Sequence, residues 1–189
     1  MSRTLTGVLA GCLVLAMATV AGAGIPSADD SYVTMSNGGK GLTTCPAGDA
    51  SAYQYITVTA LRADLTPIQG IPSGSFFFTV TGTGSGNVSI NAVDAETDVS
   101  GNIRFEAMGT GTVPYGSLTI DVQIYTVVLT DSDLLWCNTY DYDDDGDVDP
   151  IDFGQFAGDF TTTMERSDFD WDGDVDPIDF GSFAAHFTH

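Results

Sequence analysis

A ten-residue string, DGDVDPIDFG, occurs at 145–154 and again at 172–181, and no other feature restricts the fold of this chain as tightly. Each copy extends upstream into a twelve-residue acidic stretch. The first places Asp141, Asp143, Asp145, Asp147, Asp149 and Asp152 around Gly146. The second places Asp168, Asp170, Asp172, Asp174, Asp176 and Asp179 around Gly173. So much like charge cannot collapse into an apolar core, and the glycine marks a sharp turn, because a Cβ is disfavoured at positive φ. Downstream the pattern becomes helical. Asp149 suits the N-cap, Pro150 the first helical position, and Asp152 the positive helix end. Phe153, Phe156, Ala157 and Phe160 then fall at i, i+3, i+4 and i+7, and Phe180, Phe183, Ala184 and Phe187 repeat them. Each copy is therefore a loop followed by a short helix with one apolar stripe, and the two stripes are expected to pack together. Residues 134–140 show no helical pattern and read as a strand end and turn. A solvated acidic tail would not hold glycines, valines, prolines and phenylalanines in register twice.

Alternating carboxylates around a mid-loop glycine are the ligand spacing of an EF-hand calcium loop. Ca²⁺ takes about six to eight oxygens at roughly 2.3–2.6 Å. The first, third and fifth aspartates would supply the opening ligands. Asp147 and Asp174 would offer backbone carbonyls, Asp149 and Asp176 would bind directly or through water, and Asp152 and Asp179 would close each site with both oxygens. Two ions are expected. Val148 and Val175, at the eighth place, are positioned to join the loops by a short β-bridge. Residues 141–179 hold 15 acidic groups and one basic group, Arg166, so repulsion should unfold the loops without a cation.

A calcium loop plus one helix, given twice, resembles a dockerin, in particular the type I dockerins of secreted bacterial proteins. The resemblance covers about 141–189. It implies two Ca²⁺ ions and calcium-dependent docking to a cohesin-like β partner on an extracellular scaffold or surface. The final ligand is Asp, as in that family. The Ser-Thr pair that dockerins use for contact is replaced by Pro150-Ile151 and Pro177-Ile178.

Residues 1–23 read as a secretory signal peptide, with Arg3, the apolar run 8–20, and an A-x-A cleavage site ending at Ala23. The apolar run is short for a membrane span. A secreted or cell-surface, bacterial location is expected, with no membrane insertion after signal removal. The formal net charge of −21 argues against nucleic acid, whose phosphates would be repelled. Cys45 and Cys137 remain after the leader. In an exported chain such a pair is expected to form a disulfide, stabilising by about 4–5 kcal/mol in the chain-entropy picture and stiffening the junction ahead of Asp141. The alternative is two buried thiols.

Residues 24–137 read as all-β, from period-two alternation, Val and Thr enrichment and glycine-rich turns. Expected strands centre on 53–61, 75–81, 88–92 and 103–107, with a long one from Leu118 towards Leu129 and an opening strand near Thr34. About seven strands imply a β-sandwich. The segment Thr97-Asp98-Val-Ser-Gly101-Asn-Ile103-Arg-Phe105 is similar to a turn and strand of invasin/intimin-type bacterial Ig-like domains, which implies an Ig-like fold. His186 and His189 are the only histidines, and they read as the end of a helix rather than metal ligands. With no triad order or nucleophile signature, no catalytic residues are expected. Tyr53, Tyr55, Phe76, Phe77, Phe78, Tyr115 and Tyr125 could form a sugar-stacking face, although most should be core, with Phe77 pointing away from Phe76 and Phe78.

The expected architecture is mainly β: a signal peptide at 1–23, an Ig-like β-sandwich at 24–137, and a small helical, dockerin-like, duplicated calcium module at 138–189. The expected function is non-catalytic, calcium-dependent protein docking. Two alternatives stand beside it: a structural subunit of an extracellular fibre or layer, assembling by exposed β edges, and a carbohydrate-binding module.

Overall fold

The computed structural model describes residues 24–47 and 53–187. The expected leader at 1–23 and His189 lie outside them. The described residues form eight strands: β1 (Tyr32–Met35), β2 (Lys40–Thr44), β3 (Tyr53–Thr59), β4 (Phe76–Thr81), β5 (Val88–Ala92), β6 (Asn102–Gly109), β7 (Gly116–Ile124) and β8 (Val127–Thr139). They make two four-stranded sheets, ordered β1-β3-β6-β5 and β2-β8-β7-β4. Neighbouring strands run antiparallel except β2, which lies parallel to β8.

The sheets face each other across one hydrophobic core. Ile56, Val58, Ile103, Phe105 and Ala107 come from the first sheet, and Leu118, Ile120, Val122, Ile124 and Leu135 from the second. Phe105 bridges the layers, with ring centroids 5.4 Å from Phe76 and 4.6 Å from Phe78. Burying each such side chain contributes about 1.5–3 kcal/mol.

The long strand expected from Leu118 towards Leu129 is instead a hairpin. Ile124 pairs with Val127 across Tyr125 and Thr126, and Tyr125 takes φ 55°. Two-residue hairpins favour positive φ and so usually signal themselves with Gly or Asn; an aromatic residue there hid the turn. The turn after Thr97 forms on its sequence cues. Asp98 Oδ1 accepts from Ser100 N (2.8 Å) and Asn102 N (2.9 Å). Gly101 has φ 79°, and a Cβ there would meet Ala60 O at 2.5 Å, so the position needs glycine.

Two helices follow, α1 (Pro150–Asp159) and α2 (Pro177–His186). Phe156 and Phe183 from these helices join Cys45, Tyr140, Val148, Phe169 and Val175 in a second buried cluster. β8 runs directly into this C-terminal module. The first cluster reaches Cys137 and the second starts at Tyr140, so the chain crosses from one core to the other within three residues.

The disulfide expected between Cys45 and Cys137 is absent; the two cysteines are not bonded to each other. The β2–β8 register sets Leu42 beside Cys137 and Thr44 beside Thr139. Cys45 is therefore offset from Cys137 by three residues along neighbouring strands, about 10 Å at roughly 3.3 Å per residue. A disulfide needs Cα atoms within about 7 Å. Burial pushes the Cys137 thiol up to about 12, which keeps it protonated and unreactive.

Polar contacts stiffen the junction in place of that bond. Buried Asn138 donates through Nδ2 to the carbonyls of Glu165 (2.9 Å) and Asp168 (2.8 Å). Glu165 pairs with Lys40 at 3.0 Å and accepts from Tyr115 at 3.2 Å. Lys40 holds the Glu165 carboxyl below its ordinary range, and its ammonium lies 5.5 Å from the Trp171 ring centroid.

Candidate metal centre

The two loops share four closing hydrogen bonds on equivalent atoms, and the second adds Asp170 N to Asp179 Oδ1 and Asp172 N to Asp170 Oδ1, each at 3.3 Å. In the first, Asp141 accepts from Asp145 N (3.2 Å) and Gly146 N (3.1 Å). In the second, Asp168 accepts from Asp172 N (3.1 Å) and Gly173 N (3.0 Å). Asp152 accepts from Tyr142 N (2.6 Å) and Asp149 N (2.8 Å). Asp179 accepts from Phe169 N (2.6 Å) and Asp176 N (2.8 Å). Gly146 and Gly173 take φ 99° and 109°, as the sixth place demands. Asp144 and Trp171, at the fourth place, both take φ 60°, a second left-handed turn that side-chain chemistry did not advertise.

The helix starts follow directly. Asp149 and Asp176 are N-caps, each accepting from the backbone N–H two residues on at 2.6 Å, and each completes a capping box with Asp152 or Asp179. One carboxylate thus closes the loop and nucleates the helix behind it. His186 ends α2, as expected, with Nδ1 2.8 Å from Ser182 O and its ring stacked on Tyr140 at 4.2 Å.

Side-chain oxygens converge within 4.8 Å of one another in four groups: Asp141, Asp143 and Asp152; Asp147, Asp149 and Asp152; Asp168, Asp170 and Asp179; and Asp172, Asp174 and Asp176. Oxygens bound to one ion at about 2.4 Å lie no more than about 4.8 Å apart, so each group is tight enough for a single ion. The donors are all oxygen, which selects hard cations over zinc or copper. The first, third and twelfth places gather in both loops, as the spacing predicts. Asp145 lies outside these groups, its Oδ1 accepting from Asp147 N at 3.2 Å. Asp147 and Asp174 join a group through their side chains, where only their carbonyls were expected.

Asp141, Asp152, Asp168 and Asp179 are buried. Among the described residues the ion pairs are Lys40–Glu165, Arg104–Asp94 and Arg166–Asp159, so none of the four has a basic partner. A buried carboxylate without counter-charge is costly. Burial, then the neighbouring acids, raises the affinity of Asp143 for protons, and burial does the same for Asp168 and Asp170. Outside the loops, Asp159 behaves oppositely. Burial would raise it, but Arg166 at 2.6 Å and the Ser167 hydroxyl at 2.7 Å hold it low.

The β-bridge expected between Val148 and Val175 does not form. Val175 exchanges backbone bonds with the segment after α1, Thr161 N to Val175 O (2.9 Å) and Val175 N to Thr162 O (2.8 Å). Both valines are buried in the second cluster instead.

The helical stripes pack on each other only in part. Phe156 and Phe183 are buried and stacked at 5.1 Å. The cross pairs Phe153–Phe183 and Phe156–Phe180 are each 6.2 Å apart, which is the mark of a near two-fold relation between the repeats. Phe153 and Phe180 stay 42% and 44% exposed. They separate two shallow apolar grooves of about 270 and 310 Å³, floored by Phe183 and Phe187 in one and Phe156 and Phe160 in the other.

Sequence reasoning missed Thr112 and Asn138. Thr112 Oγ1 donates to Asp141 Oδ2 at 3.2 Å, so the first loop is tied to the β region through the first residue of its acidic stretch. The second is tied through the backbone, by Asn138. No local pattern marks either residue, because the partners lie about thirty positions away.

The proposed sugar-stacking aromatics do not share a face. Phe76 is buried, Phe77 is exposed on the second sheet, Tyr115 meets Glu165, and Tyr53 and Tyr55 form an exposed edge-to-face pair at 5.1 Å on the first sheet. Comparison with family models, curated proteins and solved structures returns no match. Among the described residues no helix is long and apolar enough to cross a membrane.

Proposed function

We propose that this is a secreted, non-catalytic protein whose C-terminal module binds two Ca²⁺ ions and, once loaded, docks the β region onto an extracellular protein partner. The observation that carries this reading is the set of four buried carboxylates with no basic partner, placed identically in two loops. Loop length, glycine placement and all-oxygen donors favour calcium over smaller ions that keep their waters. The reading is consistent with the dockerin resemblance of the repeats and an Ig-like character of the β region. The docking surface is the apolar face of the two helices, where Ile151, Phe153, Ile178 and Phe180 are exposed. Ile151 and Ile178 stand where dockerins carry hydroxyls, so the matching partner surface is apolar at its centre and basic at its rim.

Trp171 lies inside the second loop, which supplies a direct test. Tb³⁺ bound there should luminesce on excitation of Trp171. Excess Ca²⁺ should quench the signal, and Asp170→Ala with Asp179→Ala should abolish it. Absence of sensitised emission from the intact protein would remove the metal site from the account.

A further inference from the structure

The two lateral sides of the β region differ. On one side β1 is guarded: Asp131 accepts from Val33 N at 3.0 Å, and the chain before β1 is bonded to Leu61 and Thr130. On the other side lie β4 and β5, the last strands of their sheets. Neither carries a charge or a proline, the usual devices that stop edge strands from pairing. Between them a groove of about 310 Å³ is lined by Phe76, Phe77, Phe78, Val80, Val88 and Ile90, all of which except Phe77 belong to the core or pack against it. Phe77, on the outer face, is 55% exposed.

The register defines which backbone groups are free. Ser75 O accepts from Tyr125 N at 2.7 Å, and β4 then pairs with β7 without a shift from Phe76 opposite Ile124 to Thr81 opposite Thr119. Alternation in an antiparallel ladder directs Ser75, Phe77, Thr79 and Thr81 towards β7 and turns the N–H and C=O groups of Phe76, Phe78 and Val80 outward.

We propose that two copies of this chain join through these outward groups, β4 antiparallel to β4 of the second copy about a two-fold axis at Phe78. This register sets Phe78 opposite its own equivalent and Phe76 opposite Val80 of the second copy, all facing the groove. On the outer face Phe77 meets Thr79. Side chains therefore match face to face, which a shift of one residue would destroy. Charge selects this seam: a chain of net charge −21 repels its copies except where charge is absent. The sheet order β2-β8-β7-β4 puts β4 at the edge farthest from the strands that carry the acidic module. Such a seam is consumed by the pairing, so assembly closes at the dimer rather than growing into a fibre. The dimer does not depend on metal. Only its consequence, two docking modules acting with avidity, rests on the function proposed above.

Sedimentation equilibrium of the full mature chain tests this, in Ca²⁺ and separately in EGTA. The expected result is twice the chain mass in both. Phe77→Lys with Thr79→Lys changes exposed positions that face each other across the seam, and should weaken dimerisation by about tenfold or more with an unchanged far-ultraviolet CD spectrum. Mixing that variant with Phe77→Glu/Thr79→Glu should restore a dimer. A wild-type monomer at every concentration, a lysine variant that still dimerises, a mass that keeps growing with concentration, or a dimer lost in EGTA would each overturn the proposal.

Discussion

The β region and the C-terminal module obtain order by opposite means. The first buries aliphatic and aromatic side chains from both sheets in one core and contains few buried charges. The module supplies six of the seven buried residues of the second cluster, Cys45 being the seventh, and holds in 141–179 fifteen acids against one base. Its helices begin on carboxylates that also close the loops. Hydrophobic burial between the sheets dominates the first region, while the second is built around four buried carboxylates without basic partners. A neutral core tolerates changes of solution conditions that a carboxylate cage does not.

The largest separation of the two regions should come from chelation. Binding at a thousandfold excess over the dissociation constant stabilises by about 4 kcal/mol per site. EGTA should therefore lower the melting temperature of the module and leave that of the β region in place, giving two separate thermal transitions where calcium gives one or two close ones. Asp152→Ala with Asp179→Ala should reproduce this in saturating calcium, read by differential scanning calorimetry.

Core truncations sharpen the contrast. Phe156→Ala should cost about 3–5 kcal/mol and lower the module's transition. Ile120→Ala should cost about 2–5 kcal/mol in the β region with calcium stoichiometry unchanged. Denaturant titrations followed at aromatic and at peptide wavelengths would assign each loss to its region.

The junction comes next. Asn138→Ala leaves the carbonyls of Glu165 and Asp168 without their donor. A loss of about 1–3 kcal/mol is expected, with the two transitions moving apart. Coincident transitions in that variant would mean the regions are coupled elsewhere.

Acid should move the two regions in opposite directions. Burial raises Asp168 and Asp170 in the metal-free fold, so that fold binds protons more readily than the unfolded chain. Its stability then increases as pH falls from 7 towards the ordinary carboxylate range, while calcium affinity declines because protons compete for the ligands. In the β region, the Arg104 hydrogen bonds lower Asp94. That contribution is present above the ordinary carboxylate pKa and is lost as pH falls through the lowered value. Melting in EGTA as a function of pH reads both signs.

The smallest effect should be at Thr112. Thr112→Val removes one neutral donor to Asp141, worth about 1 kcal/mol. It should weaken calcium at the first loop and leave the second unchanged, which site-resolved NMR titration can distinguish.

What the sequence disclosed follows the range of the interactions. Caps, helix starts and the acidic residues that gather in each loop lie within twelve residues of each other, and their spacing placed the N-caps at Asp149 and Asp176 and the helices behind them. Strand alternation located β3 to β6. Contacts between distant segments stayed hidden. β2, whose parallel partner β8 lies almost a hundred positions on, had no local signature. The offset of Cys45 from Cys137 depends on that register, which is why composition suggested a bond that geometry forbids. The Tyr125 turn was missed because its conformation contradicts its residue type. The exposed half of the phenylalanine stripes was missed for another reason: periodicity identifies an apolar face but not how much of it a partner helix covers.

Isothermal titration calorimetry of the purified chain with CaCl₂ is the most direct test of the central claim. Two ions per chain should bind in wild type, one when either Asp152 or Asp179 is changed to Ala, and none in the double variant. A wild-type titration showing no uptake at millimolar calcium would contradict the account.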